Sequence, residues 1–529
     1  MRNRFLAVLA AAAALAANID YTAEGQRWWS HVEALAADDM QGRNTGSEGY
    51  QKAADYVRRQ FERAGLKPAG ANGYFQPMKF DVAQIVEDQS SVALVRDGKA
   101  APLKLGEDAV ISLRSDLAPS VEGPLVFVGY GVAIPEAHHN DLSGLDLKGK
   151  IAVYLAGGPR SASSELRAHY SSLGERWAAL RKAGATGLVS IQNPKHMDVP
   201  WARSSLARLQ PSMRLADPAL NDARGLRFSL TFNPDRAEKL FEGSGHSFRE
   251  LLALADAGQP LPRFALPASL VAKVSVKRWQ VDSMNVVGVR EGSDPKLKNE
   301  YVVLSAHLDH LGVGQPIGGD RIYNGAMDDA SGVASLIDIA QQLQQGRARL
   351  KRSALFLAVT GEEKGLQGSR YFAAHPSVDA ASLVADINLD MYLPLFPLRW
   401  LEVQGVNEST LGDEIRAAAR DYGVEVQADK EPDRNLFIRS DQYSFVRRGV
   451  PALAFKFGYK PGTPEEKTAK EWLRNRYHAP SDDLKQPVDK AAAAKFNRIL
   501  LDLVRRVANS EQRPQWHRES FFRRFAAGT

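Results

Sequence analysis

Between residues 285 and 457 the chain repeats one pattern: a short apolar run, then a motif rich in acids, histidine or glycine, with amphipathic helical stretches between. NVVGVREG (285–292) reads as strand and turn, YVVLSAHLD (301–309) as a buried strand, and 332–343 as an amphipathic helix. SALFLAVTG (353–361), LVADINLDM (383–391) and the run 451–457 read as further strands. Continuous apolar runs of this length, bounded by turn residues, suit strands buried on both faces. Strands alternating with helices predict an α/β fold: a mostly parallel central sheet flanked by helices. In such sheets ligands gather beyond the carboxyl ends of the strands. Each motif described next falls at the end of one of these strands or in the loop after it.

HLDHLG (307–312) puts His307 and Asp309 two residues apart at a strand end, on one face by the period of two. Asp309 is then placed to hold the ring nitrogen that a metal-bound His307 would leave over. By the same alternation His310 faces the other way and is left out of the site. NGAMDDASG (324–332) sets Asp328 and Asp329 in a small-residue loop that opens a helix. These could be an N-cap near Ser331, or one carboxylate bridging two metals beside another that orients the loop. TGEEKG (360–365) ends an apolar strand on Glu362 and Glu363, which repel unless a cation is present. Their side chains diverge, so one can bind metal while the other faces a substrate water. Asp390 in NLDM and His478 in YHAPSD, taken singly, read as a loop cap and a surface histidine. Taken together, these imidazoles and carboxylates, with no thiolate, make a donor set suited to a pair of zinc ions. One carboxylate is left to move a proton, which points to hydrolysis by metal-activated water.

At 529 residues the chain exceeds one compact core, so two or more domains are expected. Two arginines lead an alanine-rich apolar run, 5–17, that ends on a small-x-small site at Ala14-Leu15-Ala16. This predicts a signal peptide over 1–17, and a periplasmic or secreted protein with no membrane contact after its removal. With no cysteine, the mature protein uses no disulfide and carries no lipid-anchor cysteine. The net charge of +6 is dispersed, without a Lys/Arg run or a nucleic-acid motif, so no nucleic-acid partner is expected. DDMQGRNTGSEG (38–49) reads as a loop, and 50–64 as a helix with Ala53, Ala54, Val57, Phe61 and Ala64 on one face. Both read as packing over one side of the sheet. From 75 to 133, and again through 141–159, short apolar runs between turn residues read as strands. That middle stretch holds no cluster of metal ligands.

The five motifs, in this order, resemble the co-catalytic dizinc aminopeptidases of peptidase family M28, over about 285–508. DMQGRNTGSEGY and the helix after it resemble the N-terminal part of the same domain. GPLVFVGYG (123–131), LDLKGKIAVYL (145–155) and AGATGLVSI (183–191) resemble a protease-associated domain. The resemblance implies a zinc aminopeptidase/phosphorylase-like fold with an inserted β-rich domain. It divides the chain into a signal peptide (1–17), an N-terminal catalytic part (18–110), the insert (111–275), the main peptidase part (276–510) and a tail (511–529).

The resemblance also implies two zinc ions per chain. His307 and Asp390 would bind one, Glu363 and His478 the other, and Asp328 would bridge. Glu362 would be the general base and acid, and Asp309 would orient His307. Asp329 would follow an Asp-Asp bond that relatives hold in cis. Tyr477 matches a hydroxyl that stabilises the tetrahedral intermediate in some relatives, and Arg439, in IRSDQYSF, matches a substrate-contacting arginine. Gln442 stands where members often show histidine and is not counted as a ligand. The implied activity is that of a secreted dizinc aminopeptidase acting on peptides. The alternatives are a carboxypeptidase or dipeptidase on the same scaffold, or a non-catalytic binding protein. The intact ligand set argues against the last. Nothing in the sequence sets an oligomeric state.

Overall fold

The computed structural model describes residues 20–346, 349–434 and 436–528. The predicted signal peptide, 1–17, lies outside them. The chain divides into two compact units. The first joins the described residues up to Met78 to Asp282–Lys430 and to the segment from Arg439 onward; the second is Lys79–Val281 with Glu431–Ile438.

Seven strands of the first unit's sheet frame the site: β1 (Val276–Arg290), β2 (Tyr301–His307), β3 (Ser353–Val359), β4 (Leu383–Asn388), β5 (Trp400–Gln404), β6 (Glu425–Gln427) and β7 (Ala452–Gly458). Their order is β1-β3-β2-β4-β7-β5-β6. The central four, β3, β2, β4 and β7, run parallel. β1 joins β3 and β5 joins β7 antiparallel, so the sheet is mixed around a parallel centre. A periodicity argument detects strands but not their direction, which the connections decide.

Alternation along each strand feeds two cores. Val302, Leu304, Ala306, Phe356 and Ala358 face one side, and Val303, Leu355, Leu357 and Val359 the other. On the first side pack helices α1 (Thr22–Leu35), α2 (Glu48–Arg63), α3 (Ser331–Gln345), α6 (Leu411–Asp421) and α8 (Lys490–Asn509). On the second, α4 (Gln367–Ala374) contributes Phe372 and α7 (Gln442–Val446) contributes Phe445. α2 starts where Ser47 accepts the N–H of Tyr50, and α8 where Asp489 accepts that of Ala492. α2 lays Ala53, Ala54, Val57 and Phe61 on the sheet, with Phe61 set edge-on to Phe356 at 6.0 Å. Val57 and Phe61 each contribute roughly 1.5–3 kcal/mol by leaving water, and Phe356→Ala would cost about 3–5 kcal/mol. A short 3-10 turn, labelled α5 for chain order (Ala380–Ser382), precedes β4. The tail from residue 511 packs on this unit through buried Trp516 and Phe522, and the Trp516 indole donates to Gly449 O at 2.8 Å.

The second unit is an eight-stranded sheet in the order Lys99–Leu103, Ser91–Arg96, Phe264–Lys273, Ser120–Phe127, Ile151–Leu155, Gly187–Ile191, Ser229–Phe232, Ala109–Ile111. Its start differs from the expected boundary at 111. Ser91–Arg96 pairs with Phe264–Lys273 and Lys99–Leu103 pairs with Ser91–Arg96, so residues 91–103 belong to this sheet. No composition break marks that boundary, because one run of short strands continues through it. Among the described residues no helix is long and apolar enough to cross a membrane.

Candidate metal centre

β3, β2 and β4 are neighbours, and each carries its motif past its carboxyl end. His307 is the last residue of β2, Glu362 and Glu363 follow β3, and Asp390 follows β4. Asp328 comes from the loop that runs into α3, and its peptide bond to Asp329 is cis. His478 comes from the loop after the helix Pro464–Asn475.

These side chains converge on two adjoining groups that could hold metal. In the first, Nε2 of His307 stands 3.0 Å from Oδ1 of Asp328 and 3.5 Å from Oδ1 of Asp390. In the second, Nε2 of His478 stands 3.3 Å from Oδ2 of Asp328 and 3.2 Å from Oε2 of Glu363. Asp328 belongs to both, one oxygen to each. His307 Nε2, Asp328 Oδ2 and Asp390 Oδ1 are buried without a hydrogen-bond partner among the described residues. Buried polar atoms without partners are costly, and several aimed at one another mark a place a cation would satisfy. Imidazole and carboxylate donors, with no sulfur, fit zinc.

One expectation needs correcting. His310, set aside as facing away, is fully buried, with Nδ1 2.8 Å from Oε1 of Glu363 and 3.7 Å from Oδ2 of Asp328. β2 ends at His307, so strand alternation no longer governs residue 310. The second group that could hold a metal accordingly includes His310 with Asp328 and Glu363. Asp309 meets the His307 ring through its main chain: the His307 Nδ1 lies 2.9 Å from the Asp309 carbonyl. The carboxylate instead accepts from the Glu362 N–H at 3.0 Å and the Thr45 hydroxyl at 2.9 Å.

The remaining predicted residues fall around this core. Oδ1 of Asp329 accepts from Gly332 N at 2.9 Å and Met391 N at 3.3 Å, tying the α3 loop to the β4 loop. A Cβ at Gly332 would lie 2.4 Å from Asp329 Oδ2, so only glycine lets this carboxylate close. The Tyr477 ring centroid is 3.9 Å from that of His478. Arg439 is exposed, and its charge acts on the Tyr477 hydroxyl. Gln442 accepts from Asn388 Nδ2 at 2.7 Å.

Three supporting residues escaped the sequence reading. Asp482, in YHAPSD, is fully buried and accepts from Met327 N at 2.9 Å and Asp328 N at 3.0 Å. Its place in a motif with His478 was the available signal. Thr45 and Arg43 lie in the loop read as packing, where nothing periodic marks them.

The charges of these groups oppose and balance one another. Burial raises the Glu362 carboxyl well above its ordinary pKa, and the neighbouring carboxylates of Asp390 and Glu363 add to this. For Glu363 burial acts in the same sense, but the His478 and His310 rings outweigh it and hold the carboxyl well below the usual range. Adjacent glutamates on one turn are thus driven apart, one ready to bind a proton and one kept ionised. Burial works against charging His478, yet Glu363 and Asp328 raise it to about 10. Burial also drives the Tyr477 hydroxyl up.

The α/β sheet thus carries, at its strand ends, two adjoining His/carboxylate groups that share Asp328. Residues 285–504 match the family model described as Peptidase family M28. A probable leucine aminopeptidase 2 of Aspergillus oryzae is 27% identical over 249 residues, 45% of each chain. Carboxypeptidase Q of Xenopus laevis is 31% identical over 123 residues, 23% of this chain and 24% of that one. The chain thus matches less than half the length of these curated relatives. An aminopeptidase from Aneurinibacillus sp. strain AM-1 shares the fold with a TM-score of 0.55 at 20% identity, covering 92% of this chain and 95% of that one.

Proposed function

We propose that this protein is a secreted dizinc exopeptidase that removes residues from the N-terminus of peptides. The observation that carries the reading is the division of one cluster between two metal positions through Asp328, with Glu362 beside them. His307 and Asp390 would hold one ion, Glu363 and His478 the other, with Asp328 between. A bound pair of zinc ions would lower the pKa of a water, polarise the scissile carbonyl and clamp the oxyanion.

The chain's own residues do the rest. Glu362, whose pKa burial has raised, takes the proton of the attacking water and passes it to the leaving amine. Asp309 fixes the main chain of Glu362 and, through its carbonyl, the ring of His307. The Tyr477 hydroxyl, kept protonated, donates to the developing oxyanion. We read Lys79–Val281 as a protease-associated domain, because GPLVFVGYG and LDLKGKIAVYL carry two of its strands, Ser120–Phe127 and Ile151–Leu155.

A carboxypeptidase or dipeptidase is the second reading. Two observations favour it: the likeness to carboxypeptidase Q, and the cationic Arg439, whose charge reaches Tyr477. Amino-acid nitroanilides assayed against N-blocked peptides, before and after chelation, separate the two. Turnover of nitroanilides with free amines, lost on chelation, supports the aminopeptidase; turnover of N-blocked peptides alone would replace it.

A further inference from the structure

Arg43 is fully buried, and its guanidinium is spent on main-chain carbonyls. Nε donates to Leu308 O at 2.8 Å, Nη1 to Leu35 O and Asn324 O, both at 2.6 Å, and Nη2 to Gly325 O at 2.9 Å. Leu308 lies between His307 and Asp309, and Asn324 and Gly325 open the loop that carries Asp328. Leu35 O is one of the carbonyls that the end of α1 leaves without a partner in the helix. A single planar fork therefore joins a helix end to two ligand-bearing loops.

The surrounding backbone is shaped to bring the fork there. Arg43 has φ +48°, in the left-handed region, where a non-glycine residue persists only if its surroundings hold it. Gly42, at φ +62°, leaves no room for a Cβ, which would lie 2.3 Å from Tyr323 O and 2.7 Å from Gly312 O. The next turn continues the grip: His310 N donates to Arg43 O at 3.2 Å, and Thr45 donates to Asp309. Burial lowers the pKa of Arg43 to about 10, opposed by the fields of Asp482, Asp329, Asp328 and Asp309, so the group is charged at neutral pH.

We infer that Arg43 is a positioning residue of the metal centre: its hydrogen bonds to Leu308, Asn324 and Gly325 set the spacing of the His307 and Asp328 loops, so that both ligands stand in place before metal arrives. This rests on the dizinc reading. The guanidinium geometry, not the charge alone, carries the role, since an ammonium on a shorter reach cannot serve carbonyls on three segments at once.

The test titrates zinc into chelator-treated wild-type, Arg43→Lys and Arg43→Gln full-length protein, against a competing zinc chromophore. Thermal melts of the stripped and loaded forms accompany it. Wild type is expected to take up two zinc ions. Both variants are expected to fold but to bind zinc about ten- to a hundred-fold more weakly, with a smaller zinc-induced rise in Tm. Wild-type zinc affinity in both variants, with Tm lowered equally in stripped and loaded forms, would reduce Arg43 to packing and overturn the inference. So would variants that show no cooperative melt even with zinc. Wild type that binds no zinc would instead defeat the dizinc reading itself.

Discussion

Asp309 and Glu362 are joined across two strand ends: the Asp309 carboxylate accepts the Glu362 main-chain N–H at 3.0 Å. The carbonyl of the same aspartate lies 2.9 Å from Nδ1 of His307. One residue after β2 thereby fixes the His307 ring and the Glu362 main chain that follows β3. A Nδ1–H donated to that carbonyl leaves Nε2 unprotonated and directed at Asp328 and Asp390, as a metal ligand requires.

Replacing Asp309 with alanine separates these two jobs. The backbone carbonyl remains, so His307 stays oriented and zinc content is expected to be unchanged. Glu362 loses its anchor, and kcat is expected to fall about ten- to a hundred-fold with little change in KM. Metal analysis beside steady-state kinetics checks this; loss of zinc in Asp309→Ala would mean that the carboxylate itself orients the ring.

Glu362→Gln preserves shape and removes the base. Turnover is expected to fall by roughly two to four orders of magnitude while zinc stays bound. Its Tm is expected to equal or exceed that of wild type, because a buried carboxylate beside Asp390 and Glu363 is removed. Activity close to wild type would remove Glu362 from the mechanism.

His310 and His478 both face Glu363, at 2.8 Å and 3.2 Å. His478→Ala is expected to cost one zinc per chain. His310→Ala is expected to keep both ions but to weaken one by about tenfold, since Glu363 loses a neighbour that holds it. Calorimetric zinc titrations distinguish the pair, and identical binding curves for His310→Ala and wild type would show that Glu363 needs no such support.

Below the site, Asp386 is fully buried, accepts the Ser305 hydroxyl at 2.8 Å, and has its pKa raised well above normal by burial, with Asp441 adding to the shift. A raised pKa means that the folded chain holds this proton more tightly than the unfolded chain. Its contribution to stability is full below the unfolded value near 3.8 and is lost as pH rises toward the folded value. Asp386→Asn is therefore expected to be more stable than wild type near neutral pH, by about 1–3 kcal/mol, with the difference closing toward pH 4. Melting curves across pH 4–8 test this, and a constant offset would contradict it.

The legible parts of the site were those with a periodic or compositional signature. Apolar runs ending on HLD, GEE and NLD located three strand ends, and their adjacency in the sheet brings His307, Glu362, Glu363 and Asp390 together. Direction was not legible for β1 and β5, whose antiparallel pairing depends on connections and not on composition. His310 was misread because alternation was carried past the end of β2. Arg43 and Thr45 were missed because their roles are hydrogen bonds to main chain or carboxylate more than two hundred residues away, and no local pattern encodes those. The second unit's start at Lys79 was hidden because its first strands look like those that follow.

The central claim, that two zinc ions shared through Asp328 do this protein's chemistry, is tested most directly by restoring zinc stepwise to stripped protein while following hydrolysis of leucine p-nitroanilide. Activity is predicted to return in proportion to zinc and to level off at two equivalents per chain, with Asp328→Asn recovering neither full binding nor activity. Full turnover by protein stripped of metal, or a plateau at one equivalent with Asp328→Asn still active, would contradict it.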